Sequence, residues 1–178
     1  DAEAGVAHFM EHITFKGTRD LPTTRQVSET IEGVGGSCNA ATDRETTVYW
    51  TRLPVREARR GLHVLAELTL RPQLRSEDIA REREIIVDEI RSYRDDPGQH
   101  IYNVWDEAYF GDSPLGWEIA GDEETVRALS DDDIRASLEG AQVRLQRERG
   151  TDLTLFSPRA SWMGHHVGNI HTSRFWAQ

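Results

Sequence analysis

The sequence predicts an α+β fold in which helices pack with a mixed or antiparallel sheet. Two long stretches, residues 54–71 and 77–94, repeat apolar residues every three or four positions, as amphipathic helices do. A third stretch, residues 37–53, is rich in small and β-branched residues and partly alternates in polarity, which favours strands. With 178 residues, of which 37% are hydrophobic, the chain is long enough to bury a core.

Two helices and a strand pair are predicted in the first third of the chain. The first helix stops near Gly17, and one threonine of the pair Thr23-Thr24 can cap the second, which ends at Gly33 or shortly after it. The strands turn at Asp43-Arg44 and pair in antiparallel fashion. These elements are helices over residues 6–15 and 24–32, and strands over residues 37–42 and 46–53.

Helices dominate the rest of the predicted domain. Pro54 opens one helix, which closes before Pro72, and Ser76 caps the next. The run at 95–98, Asp-Asp-Pro-Gly, breaks the chain again, and the acidic run at 130–133 caps a last helix. The predicted helices cover residues 54–71, 77–94, 99–110, 122–129 and 130–138.

The character of the sequence changes after residue 138. Residues 139–178 contain five arginines and three histidines but little sustained periodicity, and only residues 152–156 resemble a strand. We therefore expect a folded domain over residues 1–138 and a divergent tail over residues 139–178. The tail is interpreted as poorly ordered or as non-native coding sequence.

Composition excludes several classes of partner. The net charge of −10 argues against nucleic acid and anionic membranes, because both attract clusters of Lys and Arg. No run of eighteen apolar residues exists, so no membrane span is predicted. Cys38 is the only cysteine, which excludes an internal disulfide and leaves the compartment undetermined, with a cytoplasmic location favoured over a periplasmic or mitochondrial one.

The segment His8-Phe9-Met10-Glu11-His12 is the clearest chemical motif. On a helix, positions i, i+3 and i+4 share one face, so His8, Glu11 and His12 project together. Two imidazoles one turn apart can hold a zinc ion, and a carboxylate beside them can act as a base. This order of residues, His-x-x-Glu-His, is the inverted zincin motif.

A catalytic zinc site normally has three protein ligands, so the two histidines need a third. The acidic helix over residues 77–94 offers Glu82 and Glu89, which are seven residues apart and lie on nearly the same face. One helix could thus present a metal ligand and a supporting carboxylate. A solvated surface of Arg–Glu pairs is the alternative interpretation of this segment.

These motifs resemble those of the pitrilysin/insulinase family of zinc metallopeptidases. The family pattern Gly-x-Ala-His-Phe-x-Glu-His-x-x-Phe-Lys-Gly-Thr is matched by GVAHFMEHITFKGT at residues 5–18. The resemblance covers roughly residues 3–138 and includes the mitochondrial processing peptidases and short bacterial relatives. It implies that His8, His12 and Glu89 bind Zn²⁺ and that Glu11 is the general base on zinc-bound water. The resemblance also places Glu82 among the catalytic residues, as a carboxylate that orients a ligand or adjusts the charge at the site without binding the metal.

The resemblance also implies a strand that binds an extended or unfolded peptide substrate. The family pattern Gly-Gly-x-x-Asn-Ala-x-Thr-x-Arg-Glu-x-Thr-x-Tyr is matched by GGSCNAATDRETTVY at residues 35–49. Asn39, Ala40 and Ala41 are the implied substrate-binding residues, because a peptide can add to the edge of such a strand. Without the resemblance, ordinary pairing within a sheet is the expected role of this strand.

Members of this family are built from repeated halves that close over the substrate as a clamshell. The chain resembles the first half only, without its opening strand, so the implied partner is a second half-domain or a homologous subunit. We therefore expect a zinc endopeptidase. The alternatives are a non-catalytic, partner-dependent subunit and an unrelated domain whose motif is coincidental.

Other tempting residues have plainer interpretations. His63 and His100 lie within predicted helices and are expected to be structural. No acid with defined spacing accompanies the histidines of the tail. Cys38 adjoins the implied substrate strand, where thiol reagents could affect activity, but a small buried apolar role is expected.

Overall fold

The computed structural model describes residues 4–149, with side chains described for residues 4–140. Seven α-helices, two short 3-10 helices and two strands make up this part of the chain, so the predicted combination of helices with an antiparallel strand pair is confirmed. The helices are α1 (Val6–Thr14), α2 (Thr24–Glu32), α3 (Ala58–Leu70), α4 (Ser76–Asp95), α5 (Pro97–Phe110), α6 (Glu123–Ala128) and α7 (Asp131–Arg149). The strands are β1 (Ser37–Thr42) and β2 (Thr47–Arg52).

The two strands form an antiparallel hairpin. Their register pairs Ser37 with Arg52 and Thr42 with Thr47. The backbone N–H of Asp43 donates to the carbonyl of Thr46 at 2.8 Å, which closes the turn in the predicted place. Within the described residues, β1 pairs with β2 alone, so each strand keeps one unpaired edge.

The main hydrophobic core lies between α1 and α4 and extends to α6 and α7. Phe9 and Ile13 of α1 are at most 1% exposed, and the same is true of Ile86 and Ile90 of α4. These four side chains belong to a single cluster. Since the apolar faces of α1 and α4 pack together, polar side chains at the margin of this contact come close to one another.

A second, smaller core lies between α2 and α3. Its buried members are Val27 and Ile31 from α2, with Val64 and Leu68 from α3. Apolar neighbours from the hairpin and from the segment after α1 pack against it. The hairpin is therefore attached to the helices on one side, and its turn reaches toward α5.

Several helix ends differ from the sequence predictions. Pro54 does not open α3: it precedes a short 3-10 turn at Val55–Glu57, and α3 begins at Ala58. Ser76 does not cap α4: it is the first residue of the helix, and Arg75 precedes it. Helix α5 begins at Pro97, two residues earlier than predicted, because the Asp96 side chain accepts a hydrogen bond from the N–H of Gly98 at 2.9 Å. Helix α7 continues to Arg149, since residues 139–149 are mostly good helix formers even though their apolar periodicity is weak.

The chain divides into two compact units, residues 1–140 and 141–178. The candidate site described below belongs to the first unit. The predicted strand over residues 152–156 lies outside the described residues, and the predicted division after residue 138 stays a prediction. Among the helices that the structure describes, none is both long and apolar enough to cross a bilayer.

Candidate metal centre

Helix α1 directs three polar side chains into one cleft. His8, Glu11 and His12 all line it, as the spacing of the motif predicts. Gly5, immediately before the helix, has a φ of +88°, and a Cβ atom there would lie 2.4 Å from the carbonyl oxygen of Ala120. Glycine at this position therefore lets the start of α1 approach the backbone of another segment that lines the cleft.

Helix α4 brings the predicted third ligand to the two histidines. The Nε2 atom of His8 is 3.8 Å from Oε1 of Glu89, and Nε2 of His12 is 3.4 Å from Oε2 of Glu89. One donor atom from each of these three residues lies within 4.8 Å of the other two. Tyr93, one turn beyond Glu89, donates a hydrogen bond to Glu89 Oε1 at 2.7 Å.

Glu82 contacts His12 on the side of the ring opposite to Glu89, at Nδ1 instead of Nε2. Its side chain is 4% exposed, and its Oε2 atom is 3.3 Å from Nδ1 of His12. Its other oxygen, Oε1, is 2.7 Å from the ammonium nitrogen of Lys16. The structure thus places Glu82 where it can orient His12, and Lys16 is a partner that the sequence did not identify.

The histidines have opposite electrostatic environments. Burial, followed by the neighbouring His12, lowers the pKa of His8, and His8 Nδ1 is buried without a hydrogen-bond partner in the described part of the chain. Hydrogen bonds to Glu82 and then Glu89 raise the pKa of His12 to about 9. The hydrogen bond with His12 lowers the pKa of Glu89 to about 2, so this carboxylate is ionised at neutral pH.

The cleft around these residues has a volume of about 480 Å³. Ala40, Ala41 and Thr42 of β1 line it, together with residues of α5 and the segment 118–120. Asn39, the other predicted substrate-binding residue, is exposed and pairs with Trp50, and it does not line the cleft. The structure therefore brings Ala40 and Ala41 to the candidate metal ligands and leaves Asn39 outside.

Comparison with known proteins gives this arrangement a family. The model of the insulinase family, peptidase family M16, matches residues 1–123. The chain belongs to the insulinase family. Its combination of helices with a two-stranded antiparallel sheet is that of the family's half-domains, as its match to a solved protease below illustrates.

Relatives of the chain are known as zinc proteases. A protein of Rickettsia bellii (strain RML369-C) named as an uncharacterized zinc protease is 35% identical over 130 residues, which cover 73% of this chain and 31% of that protein. The mitochondrial-processing peptidase subunit beta of Blastocladiella emersonii is 35% identical over 135 residues, covering 76% and 29%. The chain thus spans less than a third of the length of these curated relatives.

A solved structure supports the fold. The crystal structure of a protease from Helicobacter pylori superposes with a TM-score of 0.71 at 23% identity, covering 76% of this chain and 33% of that one. At this identity the likeness concerns the fold. The shared fold extends over about three quarters of the chain.

A buried glutamate outside the motif holds the segment that follows α1 in this insulinase-family chain. Glu67 of α3, which is 0% exposed, accepts hydrogen bonds from Thr18 Oγ1 at 3.0 Å and from the backbone N–H of Asp20 at 2.9 Å. Arg71 donates to its other oxygen at 2.8 Å. Glu67 therefore fixes the segment after α1, which also contains Lys16, the partner of Glu82.

Arg75 also holds this segment in place. Its guanidinium donates to the carbonyl oxygens of Lys16 at 3.1 Å and Pro22 at 3.0 Å, and it pairs with Asp78 at 2.6 Å. No local sequence signature marks either Glu67 or Arg75. Both residues lie far along the chain from residues 16–22, so the sequence did not predict these contacts.

Cys38, His63 and His100 are not among the candidate ligands. Cys38 is half-buried against the second core, and burial raises the pKa of its thiol to about 11. His63 is exposed on α3, with Nε2 3.8 Å from Asp20. His100 lies on α5 and is not among the candidate ligands. The histidines of the tail lie outside the described residues.

Proposed function

We propose that this chain is the metal-binding half-domain of a zinc-dependent endopeptidase that hydrolyses peptide bonds of extended or unfolded peptides. The observation that carries the proposal is the convergence of His8, His12 and Glu89 in a cleft that Glu11 also lines. The names of the zinc-protease relatives support the same class of reaction.

The donor set suits zinc. Two imidazoles and a carboxylate are the protein ligands of many catalytic zinc sites, which keep another position open. Ligand atoms arranged tetrahedrally at about 2.0–2.1 Å from zinc lie roughly 3.3–3.4 Å apart. The separations from Glu89 to His12 and to His8 are 3.4 Å and 3.8 Å, and all three donor atoms lie within 4.8 Å of one another, so the side chains would draw closer together around the ion. When bound, zinc would supply Lewis acidity that polarises the scissile carbonyl and makes a water molecule more acidic.

Glu11 is the proposed general base. It precedes His12 on the same helix and lines the cleft, and within the described residues its carboxylate has no hydrogen bond or ion pair that would occupy it. Glu11 would take a proton from the attacking water and deliver it to the leaving amine.

Glu82 is proposed as a positioning residue. Its carboxylate would accept the Nδ1–H of His12, which leaves Nε2 of that ring as the ligand atom. Lys16 would keep the opposite oxygen of Glu82 in place. Tyr93 would do the same for Glu89 through its 2.7 Å hydrogen bond.

The proposed peptide site is the free edge of β1. An extended peptide that adds to this edge would exchange backbone hydrogen bonds with the strand, and its scissile bond would lie beside the metal ligands. Ala40 and Ala41 support this placement because they line the cleft, and their small side chains leave room for a peptide. Asn39, being outside the cleft, would contact only a flanking part of the peptide.

A second half-domain or a homologous subunit is the proposed partner. The length of the relatives supports this, since the chain covers 31% and 29% of the two described above, and one of them is named as a subunit. The same observation favours a second candidate function, a peptidase-like subunit that binds metal but depends on its partner for turnover.

Metal analysis combined with a cleavage assay separates these functions. We expect the purified chain to contain one zinc per molecule, and cleavage of an unstructured fluorogenic peptide to stop when a chelator removes the metal. Zinc without cleavage would favour the partner-dependent subunit. A chain that binds no zinc, with His8→Ala indistinguishable from wild type, would contradict both functions.

A further inference from the structure

Arg44 lies in the turn between β1 and β2 but reaches across to a distant part of the chain. Its guanidinium contacts three groups there: the carboxylate of Asp106 on α5 and the backbone carbonyl oxygens of Leu115 and Trp117. The contact with the Trp117 carbonyl is 2.9 Å. The Arg44 side chain is 21% exposed and that of Asp106 is 25% exposed, so the pair is largely shielded from water.

These contacts join the two walls of the cleft. One wall is β1, through Ala40, Ala41 and Thr42, and the opposite wall comprises α5 residues and the segment 118–120. Arg44 itself lines the cleft at the end of β1. A side chain that is bound to both walls fixes the distance between them.

The planar guanidinium is suited to this arrangement. It presents N–H donors in a rigid fork, so it can bind a carboxylate and two carbonyl oxygens at once. The turn fixes the other end of the side chain, because the backbone N–H of Arg44 donates to Asp43 Oδ1 at 2.8 Å. A lysine at this position could pair with Asp106 but would lack the fork.

We infer that Arg44 is a positioning residue that sets the width of the peptide cleft by tying the substrate strand to α5 and the segment 115–117. This inference rests on the proposed function, whose cleft it describes. Arg44 contacts neither the candidate metal ligands nor Glu11 in the structure. Its charge is already paired with Asp106, so it acts on the peptide through the position of β1 and not by binding a peptide carboxylate.

Peptide binding and amide exchange of the full 178-residue chain test the inference together. Binding is measured by fluorescence anisotropy of a labelled unstructured peptide, in a Glu11→Gln background that prevents cleavage, with zinc content determined for each sample. We expect Arg44→Ala to weaken binding by at least about tenfold at unchanged zinc content, because a displaced wall misplaces the whole peptide. Arg44→Lys should give an intermediate loss.

Hydrogen exchange supplies a readout that does not need the proposed function. Arg44→Ala should accelerate amide exchange by about tenfold in residues 40–44 and in residues 115–119. Without the Arg44 contacts, both segments should open locally more often. Arg91→Ala is the matched control, since it removes an exposed ion pair with Glu123 outside the cleft, and it should change neither measurement.

The possible outcomes distinguish the inference from the proposed function. Unchanged exchange in both segments, or unchanged peptide binding at full zinc content, would overturn the role of Arg44. A loss of affinity confined to peptides with a free carboxylate would overturn it as well, because it would show direct binding. If the unmodified chain binds no peptide at all, the proposed function fails, and exchange alone then decides whether Arg44 joins the walls.

Discussion

Glu11 is the residue on which the proposed hydrolysis depends. Replacing it by Gln keeps the size of the side chain but removes the base, while the three candidate ligands stay in place. We expect Glu11→Gln to retain zinc and to lose about 10²- to 10⁴-fold in cleavage rate, the usual contribution of a general base. Zinc content and peptide turnover are measured on the same preparation. Cleavage at the wild-type rate would assign the base elsewhere.

Protons compete with the metal at His12. The pKa of this residue is raised to about 9 in the metal-free chain, chiefly by its hydrogen bonds to Glu82 and then Glu89. Since a metal binds only the neutral imidazole, zinc must displace this proton at any pH below about 9. We expect zinc affinity to rise about tenfold per pH unit between pH 7 and 9 and to level off above it. The lowered pKa of His8 means that this second ring adds no further slope.

Competition with a chromophoric chelator, corrected for the chelator's own protonation, measures this dependence. The stability of the metal-free chain should change in the opposite direction. Because the folded-state pKa of His12 lies above its ordinary value of 6.5, its contribution to the free energy of unfolding is complete below pH 6.5 and is lost as the pH rises through about 9. Zinc affinity that is flat between pH 7 and 9 would show that His12 is neutral in the apo chain.

At the scale of elements, the packing of the segment after α1 against α3 depends on Glu67. Its removal leaves the buried Thr18 hydroxyl and the partly buried Asp20 backbone N–H without their acceptor. We expect Glu67→Ala to lower the free energy of unfolding by about 2–4 kcal/mol. Arg71→Ala, which removes a side chain that is 46% exposed, should cost less than about 1 kcal/mol.

Urea unfolding of both variants at equal zinc content checks this prediction. Equal losses would mean that the Glu67–Arg71 ion pair, and not the hydrogen bonds from Thr18 and Asp20, stabilises the segment. Glu67→Ala should also weaken zinc binding, since the segment holds Lys16 against Glu82.

The elements also show what the sequence can predict. Helix α1 and the relevant face of α4 follow from periodicity, and the spacing of His8, His12 and Glu89 follows from helix geometry and from the family resemblance. The hydrogen bonds of Glu67, Lys16 and Arg44 could not be predicted, because each joins segments that lie far apart in the chain and carry no local signature. The end of α7 was missed for another reason: helix propensity sustains it where amphipathic periodicity fades.

At the scale of the whole molecule, a second half-domain is proposed to complete the site, and this requirement can be tested. The chain covers 31% of the length of the Rickettsia relative, and its cleft is bounded by β1, α1, α4 and α5. If a second half-domain completes the site, adding a separately purified second half should raise peptide turnover by tenfold or more, because a closed site orients its substrate. Turnover is measured with and without the added half, using Glu11→Gln as the blank.

An added half that binds the chain but leaves turnover unchanged would contradict this requirement for a partner. Binding is followed by sedimentation, so that a failure to associate is distinguished from association without effect. The zinc content of the chain should not depend on the added half, since all three candidate ligands belong to this chain.

The free edge of β1 has a consequence for handling the protein. Small residues line this edge, and within the described residues its backbone groups have no neighbouring strand. An unpaired edge can pair with the same edge of another molecule as well as with the proposed peptide, and residues 37–42 contain no proline or charged side chain to prevent it. Self-association should therefore increase with protein concentration and compete with substrate. Sedimentation velocity over a dilution series, with and without saturating peptide, would reveal it, and a chain that stays monomeric throughout would show that the edge is protected.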